Sequence, residues 1–235
     1  MQEQFKRCEM LLGPAAMERL AKSHVAVFGL GGVGSWAAEA LARTGVGELT
    51  LIDHDEVGLT NLNRQAQATT ATVGQPKAAA LADRIALLAP DCMTHTIVGK
   101  YAADCREDFW GPYDYVLDCI DLVSCKLDLI ETGLARNIPI LSALGTGNKL
   151  DPTLLRVSDI SKTEGCPLAR IIRKELKARD IRRHKVVWSS ELAHESLQLE
   201  TPPPGRRSVP ASVMWVPASA GLLMAAECVK DLTTE

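Results

Sequence analysis

Stretches of mainly apolar residues alternate with stretches of helical periodicity along the first two-thirds of the chain. "HVAVFGL" and "ELTLID" are typical of buried strands, whereas "VGSWAAEALARTG" has the spacing of an amphipathic helix that ends at a glycine. The predicted strands are residues 24–30, 48–53, 93–98, 113–120, 138–143, 154–160 and 185–190. The predicted helices are residues 33–45, 76–90, 124–136 and 166–178, with a last helix that starts near Pro217.

This alternation predicts an α/β fold. Strands that are almost continuously apolar are buried on both faces, as in a parallel sheet covered by helices. We therefore expect a Rossmann-like, doubly wound, mainly parallel sheet with helices on both faces and a C-terminal extension of the sheet. Residues 1–150 would form the core with an N-terminal helix. Residues 151–235 would add the sheet extension, a basic helix, a Pro-rich loop and a C-terminal helix to the same compact domain.

The composition is typical of a soluble globular protein, with 46% hydrophobic residues, 23% charged residues and a net charge of −3. No stretch approaches the roughly 18–20 apolar residues that a membrane span requires, and the N-terminal sequence lacks the features of a secretory signal. The seven cysteines include no C-x-x-C pair, which argues against a zinc site or a disulfide framework. We therefore expect a cytoplasmic protein with reduced thiols and no membrane association.

The glycine motif "GLGGVG" predicts a nucleotide site. Gly29, Gly31 and Gly34 have the G-x-G-x-x-G spacing, with Gly32 between them, directly after a predicted strand and at the start of a predicted helix. Glycines let the backbone turn tightly and approach a phosphate, which the helix N-terminus then binds. Asp53 follows Gly34 by 19 residues, where an acid would accept hydrogen bonds from ribose. The motif by itself leaves NAD, FAD and ATP open.

The segment "LIDHDEVGLTNLNRQ" (51–65) favours ATP. Arg64 is suited to clamp phosphate with two hydrogen bonds, and Lys77, 13 residues later at the start of a helix, supplies a second positive charge. The remaining predicted ligand-binding residues of this segment are Asp55, Asn61, Asn63 and Gln65. The alternative is that Arg64 and Lys77 are merely solvated.

A second acidic motif, "DCID", adds a candidate metal ligand. It puts Asp118 and Asp121 at the end of the fourth predicted strand, on the sheet edge where such folds bind ligands. A carboxylate beside phosphates indicates Mg²⁺, although Asp118 could instead cap the helix that follows. Two cations and a metal carboxylate suit a triphosphate that loses pyrophosphate better than a hydride carrier.

Four motifs together resemble the adenylating domain of ubiquitin-activating enzymes and their bacterial relatives, which activate carboxylates as acyl-adenylates. They are "GLGGVGS", "LIDHDEVGLTNLNRQ", "GQPKA" and "DCID". The resemblance implies that Gly31 and the following turn contact the phosphates, that Asp53 binds the ribose, and that Asp121 binds Mg²⁺. It also implies that Asn61, Arg64 and Lys77 surround and bind the triphosphate. In this family an arginine near the N-terminus reaches the partner subunit's ATP site, which implies a homodimer with Arg7 as a catalytic residue alongside Arg64, Lys77 and Asp121.

Three further segments resemble one branch of these enzymes, the tRNA threonylcarbamoyladenosine dehydratases. They are "GVGSWAAEALARTGVGELTLID", "ISKTEGCPLARIIRKELK" and "PASAGLLMAAECVKDL". The resemblance implies an enzyme that uses ATP to activate the threonyl carboxylate of a modified adenosine, next to the anticodon of a tRNA, and then closes a ring. Longer members carry a cysteine where this chain has "RRSVPAS", so direct intramolecular attack on the acyl-adenylate is favoured over a thioester.

Two alternative functions would use the same ATP site. One is an adenylyltransferase of a sulfur-carrier or ubiquitin-like protein, although such enzymes usually carry paired C-x-x-C zinc motifs that this chain lacks. The other is a non-catalytic nucleotide-binding module, which would bind ATP without releasing pyrophosphate. A sulfur or redox relay protein as partner and a bound monovalent cation stay open.

The positive charge is concentrated in residues 170–185. This segment holds eight of the 26 Lys and Arg and two of the 29 Asp and Glu, so that its net charge is +6. Helical spacing puts four cations on one face, opposite Leu168, Ile171, Ile172 and Leu176. The predicted RNA contacts are Arg170, Arg173, Lys174, Lys177, Arg182 and Arg183. The alternative is a solvated helix face, and Arg206 and Arg207 in the Pro-rich loop are either a second RNA contact or a lid over the acyl-adenylate.

Overall fold

A computed structural model describes residues 3–202 and 208–234. One seven-stranded sheet runs through the structure. Its strands are β1 His24–Phe28, β2 Glu48–Asp53, β3 Met93–Val98, β4 Tyr115–Asp118, β5 Ile140–Ala143, β6 Leu155–Asp159 and β7 Lys185–Ser189. The strand order is β3-β2-β1-β4-β5-β7-β6, and every pair is parallel except β6 with β7. The predicted Rossmann-like class with a C-terminal sheet extension is confirmed.

Helices cover both faces of the sheet. They are α1 Lys6–Leu12, α2 Pro14–Lys22, α3 Gly34–Thr44, α4 Lys77–Leu88, α5 Val123–Ala135, α6 Pro167–Ala178 and α7 Trp215–Thr233. Apolar side chains of α2, α3, α4 and α7 form one core with one face of the sheet, and those of α5 and α6 form a second core on the other face. In β1, Val25 and Val27 point into the first core while Ala26 and Phe28 point into the second. Burial on both faces explains the continuous apolar pattern of this strand.

Proline and glycine set the ends of the elements. The strand predicted to run to residue 30 ends at Phe28, because Gly29 adopts a φ of +86° that starts the turn into α3. Helix α3 ends at Gly45, whose left-handed conformation terminates it. The last helix begins at Trp215, two residues before Pro217, and a proline in the first turn interrupts no helical hydrogen bond.

The C-terminal helix brings distant parts of the chain to one place. A Cβ on Gly221 would lie 2.3 Å from the Val33 carbonyl oxygen, so α7 crosses α3 at backbone contact. The same packing places Pro217 against Gly32, where a Cβ would lie 3.1 Å from the Pro217 Cβ. The first turn of α7 therefore borders the glycine loop. Within the described ranges, the structure shows no helix with the length and apolarity needed to traverse a lipid bilayer.

Candidate nucleotide site at the carboxyl ends of the strands

The glycine loop lies where the strand order reverses. β1 is flanked by β2 on one side and β4 on the other, which creates the crevice in which folds of this kind bind ligands. A Cβ on Gly34 would lie 1.9 Å from the Gly29 carbonyl oxygen, and one on Gly29 would lie 2.9 Å from the Cys119 carbonyl oxygen. Gly31 has open space around it instead. Two glycines therefore permit the tight turn, and the third leaves room for a ligand.

Asp53 holds this loop in place. Its carboxylate, at the end of β2, accepts a hydrogen bond from the Leu30 N–H at 2.6 Å and another from the Asp55 N–H at 2.9 Å. The side chain is buried. Asp53 thus fixes the glycine loop relative to β2, and its contact with ribose stays a prediction.

Lys77 is anchored at the first turn of α4. Its ammonium group lies 2.6 Å from the Asp55 carboxylate, and the lysine is buried while the Asp55 side chain is half exposed. Burial acts to raise the pKa of the Asp55 carboxyl, but the hydrogen bond and charge of Lys77, with the charge of His54, lower that pKa overall. The carboxylate therefore stays ionised and keeps the lysine pointed at the sheet edge.

Arg64 lies over the glycine loop. Its Cγ would be 3.4 Å from a Cβ on Gly32, and its guanidinium donates to the Thr60 carbonyl oxygen at 2.8 Å and the Asn63 Oδ1 at 2.9 Å. Burial lowers the pKa of Arg64, and the nearby carboxylate of Glu200 opposes that shift. The negative charge of Glu200 therefore acts on the guanidinium of Arg64.

Three amides support this arrangement. Asn61 Oδ1 accepts the Gly58 N–H at 3.0 Å and closes the turn before Arg64. Asn63 Nδ2 donates to the Ser212 carbonyl oxygen at 3.0 Å, which joins the segment to the start of α7. Gln65 is buried and accepts from Gln67 Nε2 at 3.5 Å. Asn61 and Gln65 are therefore parts of the scaffold as well as predicted ligand-binding residues.

Gln67 is a site residue that the sequence reasoning missed. Its side chain is 1% exposed, and its Nε2 donates to the Leu30 carbonyl oxygen at 2.9 Å. Leu30 is thus held on both sides, by Asp53 through its N–H and by Gln67 through its carbonyl. In the sequence, Gln67 is recognisable only as a polar residue two positions after Gln65, and its spacing does not indicate that it is buried.

The structure corrects the prediction for Asp118. Its carboxylate is completely buried, and its Oδ2 lies 2.6 Å from the ammonium group of Lys126, which is also completely buried. Its Oδ1 accepts the Ile120 N–H at 3.2 Å. Because no surface of Asp118 reaches a ligand, this residue supports the turn that carries Asp121, whose side chain is exposed.

Lys126 was not predicted from the sequence and sits within a larger buried polar cluster. His184 Nε2 shares a hydrogen bond with Ser142 Oγ at 2.8 Å, behind the ion pair. Burial, reinforced by the positive charge of Lys126, lowers the pKa of His184 to about 3. The imidazole is therefore neutral at physiological pH, and the only sequence signal for the cluster was a lysine among the apolar residues of α5.

Arg7 lies far from the nucleotide site of its own chain. The neighbouring Phe5 packs 3.7 Å from a Cβ built on Gly45, at the C-terminal end of α3, whereas the glycine loop is at its N-terminal end. An 11-residue helix separates the two ends by about 16 Å. Arg7 is exposed on α1 beside Met10 and Leu11, each 86% exposed. Within one chain, Arg7 makes no contribution to the glycine-loop crevice.

The basic helix α6 does not present the uniform face that was predicted. Arg170, Lys174 and Lys177 are exposed, and within the described residues their side chains make no hydrogen bond or ion pair. Arg173 is partly buried and donates to the Thr163 carbonyl oxygen at 2.7 Å and to its Oγ1 at 2.6 Å. Ile171, expected on the apolar face, is 46% exposed. Arg173 therefore has a structural role, and only three cations of this helix face are available to a partner.

The flanking cations extend this surface. Arg182 and Arg183 are exposed, and Arg182 lies 3.2 Å from the Asp180 carboxylate. Helix α6 starts at the same sheet edge as the nucleotide site, since a Cβ on Gly165 would lie 3.4 Å from the Ser190 carbonyl oxygen, just beyond β7. Arg206 and Arg207 lie outside the described residues.

Comparisons with known proteins agree with this architecture. The model of the ThiF family matches residues 5–235. tRNA threonylcarbamoyladenosine dehydratase of Bacillus subtilis is 40% identical over 242 aligned residues, which cover 99% of this chain and 95% of that protein. The chain belongs to the ThiF family, among the tRNA threonylcarbamoyladenosine dehydratases.

Solved structures extend the similarity to three dimensions. A structure named TcdA (CsdL) superposes with a TM-score of 0.89 at 34% identity and covers 98% of this chain. The E. coli tRNA N6-threonylcarbamoyladenosine dehydratase in complex with ATP superposes with a TM-score of 0.87, also at 34% identity and 98% coverage. The sulfur carrier protein ThiS adenylyltransferase of Escherichia coli is 35% identical but aligns with only 60% of this chain. The family resemblance inferred from the motifs is confirmed.

Proposed function

We propose that the protein is an ATP-dependent tRNA threonylcarbamoyladenosine dehydratase. The observation that carries the proposal is the convergence of the glycine loop, Arg64, the Lys77–Asp55 pair and Asp121 at one sheet edge. This convergence occurs in a chain that aligns over 99% of its length with a dehydratase of that name. A tRNA substrate would be modified in the cytoplasm.

The proposed reaction has two steps. The threonyl carboxylate attacks the α-phosphorus of ATP, a P–O bond forms, and the bond to pyrophosphate breaks. The carbamoyl group of the same side chain then attacks the activated carbonyl carbon, the ring closes, AMP leaves, and a proton is released. The oxygen that the substrate loses departs with AMP, so the net change in the nucleoside is the loss of one water.

The residues of the site would act on the phosphates. Arg64 and Lys77 would neutralise charge that develops as pyrophosphate departs, and the open space at Gly31 would admit a phosphate close to the backbone. The predicted roles of Asn61, Asn63 and Gln65 in nucleotide contact are parts of the same proposal.

The donor set at Asp121 fits Mg²⁺. In the described residues, no group of three or more possible metal ligands includes Asp121, and we propose this carboxylate as one protein ligand of the ion. Mg²⁺ at nucleotide sites is held by one or two carboxylates together with phosphates and water. Bound there, the ion would stabilise charge on the phosphate oxygens. A monovalent cation and a sulfur or redox relay partner stay predictions.

A mass-spectrometric assay tests the proposed function. The protein is incubated with ATP, Mg²⁺ and total tRNA, and the nucleosides are analysed for loss of one water from threonylcarbamoyladenosine. The matched control is Asp121→Ala, which removes the proposed Mg²⁺ ligand from an exposed position. We expect no dehydrated nucleoside from the variant, and none from wild type in reactions without ATP. Pyrophosphate release that requires a small carrier protein instead of tRNA would support the adenylyltransferase, and ATP binding without any pyrophosphate release would support a non-catalytic module.

We further propose a homodimer in which Arg7 completes the site of the partner subunit. The exposed Met10 and Leu11 beside Arg7 support this proposal, because contiguous exposed apolar side chains mark interaction surfaces. Arg7→Ala and Asp121→Ala should each be inactive alone. After the two variants are mixed and subunit exchange is confirmed, one of the two sites in each mixed dimer should be intact. Exchange without recovered activity would refute the composite site.

A further inference from the structure

Trp215 differs from every other aromatic residue of the chain in its exposure. Its side chain is 52% exposed. The other nine aromatic residues are buried or half-buried: Phe5, Phe28, Trp36, Tyr101, Phe109, Trp110, Tyr113, Tyr115 and Trp188. An exposed tryptophan in a protein that otherwise buries its aromatic rings indicates a binding surface.

The position of Trp215 places it at the rim of the nucleotide crevice. It is the first residue of α7, and Pro217, in the same helical turn, packs against Gly32 of the glycine loop. The preceding segment is joined to the site as well, since the Ser212 carbonyl oxygen accepts a hydrogen bond from Asn63. The indole ring therefore belongs to the helical turn that borders the glycine loop.

The indole ring is held in a fixed orientation. Its Nε1–H donates to the Leu150 carbonyl oxygen at 2.6 Å, and the Leu150 N–H donates to the Glu191 carboxylate at 2.9 Å. Because the polar edge of the ring is occupied, the exposed area is carbon surface. The flanking Leu150 and Met214 are 52% and 45% exposed. The surface therefore offers a flat apolar ring without a free donor, which suits stacking on another ring.

The base of ATP is not the expected occupant. Asp53, the predicted ribose contact, ends β2, while Leu150 and Glu191 follow β5 and β7. β2 and β5 lie on opposite sides of the β1–β4 pair in the sheet. The ribose and adenine of ATP would therefore lie on one side of the glycine loop and Trp215 on the other, which leaves the Trp215 side for the carboxylate substrate.

We propose that Trp215 is a stacking platform for an unpaired RNA base next to the modified adenosine. This proposal rests on the proposed function. Single-stranded RNA loops are recognised by stacking of splayed bases on aromatic side chains, and the exposed cations of α6, a helix that starts at the same sheet edge, would hold the flanking phosphates. Trp215 would thus contribute to tRNA affinity without contributing to ATP affinity.

The test compares Trp215→Leu and Trp215→Phe with Leu222→Ala. Leu222 is 51% exposed on the same helix and serves as the control for a changed apolar surface. Stacking of one base on an aromatic side chain is worth about 1–3 kcal/mol, so Trp215→Leu should weaken tRNA binding by about 5-fold to about 150-fold. Trp215→Phe should retain most of the affinity, and Leu222→Ala should match wild type. The dependence of log affinity on log salt should be unchanged, because no phosphate contact is removed.

Two further measurements keep the proposal separate from the function on which it rests. Binding of tRNA should quench the tryptophan fluorescence of wild type, and this change should be lost in Trp215→Phe, while ATP binding is the same in all variants. Wild-type tRNA affinity in Trp215→Leu would overturn the stacking proposal even if wild type dehydrates tRNA. Equal losses of ATP and tRNA affinity would overturn it too, since they would show that Trp215 supports the glycine loop. If wild type itself neither binds nor dehydrates tRNA, the proposed function fails and the stacking proposal fails with it.

Discussion

The charged side chains at the sheet edge that carries the nucleotide site, here called the nucleotide edge, are mostly paired, whereas those on α6 are mostly unpaired. At the nucleotide edge, Lys77 is paired with Asp55 at 2.6 Å, and Lys126 is paired with Asp118 at 2.6 Å. On α6, exposed Arg170 and its neighbours Lys174 and Lys177 have no partner in the described chain. In the first region these charges form ion pairs within the protein. In the second region they are exposed to solvent and can contact a ligand.

This difference reflects two uses of charge. Catalysis of phosphate chemistry depends on groups that are already oriented before the reaction, because reorganisation would raise the barrier. Attraction of a polyanion depends on unpaired exposed charge, which acts over distance and is weakened by salt. Loss of a partner in the buried Lys126–Asp118 pair should accordingly lower stability, whereas loss of the exposed cations of α6 should change salt-dependent binding.

The largest effect on stability is expected from Lys126→Met. This change leaves the Asp118 carboxylate buried without its partner, which typically destabilises a protein by about 3–5 kcal/mol. Urea unfolding measures the loss, and the double variant Lys126→Met/Asp118→Asn is the control, because it removes both charges. We expect the double variant to be more stable than the single one. Equal stability of Lys126→Met and wild type would show that the ion pair does not organise this edge.

A smaller effect is expected from His184 as pH falls. Its pKa is lowered to about 3 in the folded protein by burial, from an ordinary value of 6.5. The unfolded chain therefore binds a proton below pH 6.5 that the folded protein does not bind, and stability is lost as pH falls from 6.5 toward 3. Between pH 7 and pH 5 this amounts to about 2 kcal/mol.

The variant His184→Gln keeps a polar side chain toward Ser142 but does not titrate. Free energies of unfolding measured at pH 7 and pH 5 should therefore fall by about 2 kcal/mol more in wild type than in this variant. Carboxyl groups that titrate in the same range affect both proteins alike. Parallel losses in the two proteins would mean that His184 accepts a proton in the folded state.

The smallest change in stability is expected from neutralising α6. The triple variant Arg170→Gln/Lys174→Gln/Lys177→Gln should stay within about 0.5 kcal/mol of wild type in unfolding, since the three side chains are exposed and unpaired. If all three contact phosphates, the slope of log tRNA affinity against log salt should shrink by about 2–3, with ATP affinity unchanged.

Two single variants are matched controls for the triple variant. Arg179→Gln removes a charge from the same helix end that is already paired with Glu175 at 2.9 Å and Glu131 at 3.3 Å, so it should alter the salt slope less than any unpaired cation. Arg173→Gln should instead lower stability by about 1 kcal/mol, because it breaks internal hydrogen bonds. A triple variant with the wild-type salt slope would show that α6 is only solvated.

Local chemistry in the sequence determined the fold class and the position of the nucleotide site. Gly29 and Gly34 have few alternatives, because a side chain at either position would collide with backbone. Periodicity predicted all seven strands, with ends that differ by at most two residues. In the central strands β1, β4 and β5, burial on both faces leaves a continuous apolar pattern. The motif spacing also identified the family.

The tertiary structure alone decided which polar residues face a ligand and which face the protein. Asp118 and Asp121 are three residues apart in one motif, yet the first is completely buried against Lys126 and the second is exposed. Arg173 lies among exposed cations but caps the Thr163 turn. The helical turn that carries Trp215 borders the glycine loop because α7 crosses α3 at Gly221. Sequence spacing specifies neighbours along one helix or strand. These contacts instead depend on how helices and strands pack together in three dimensions, which sequence spacing does not specify.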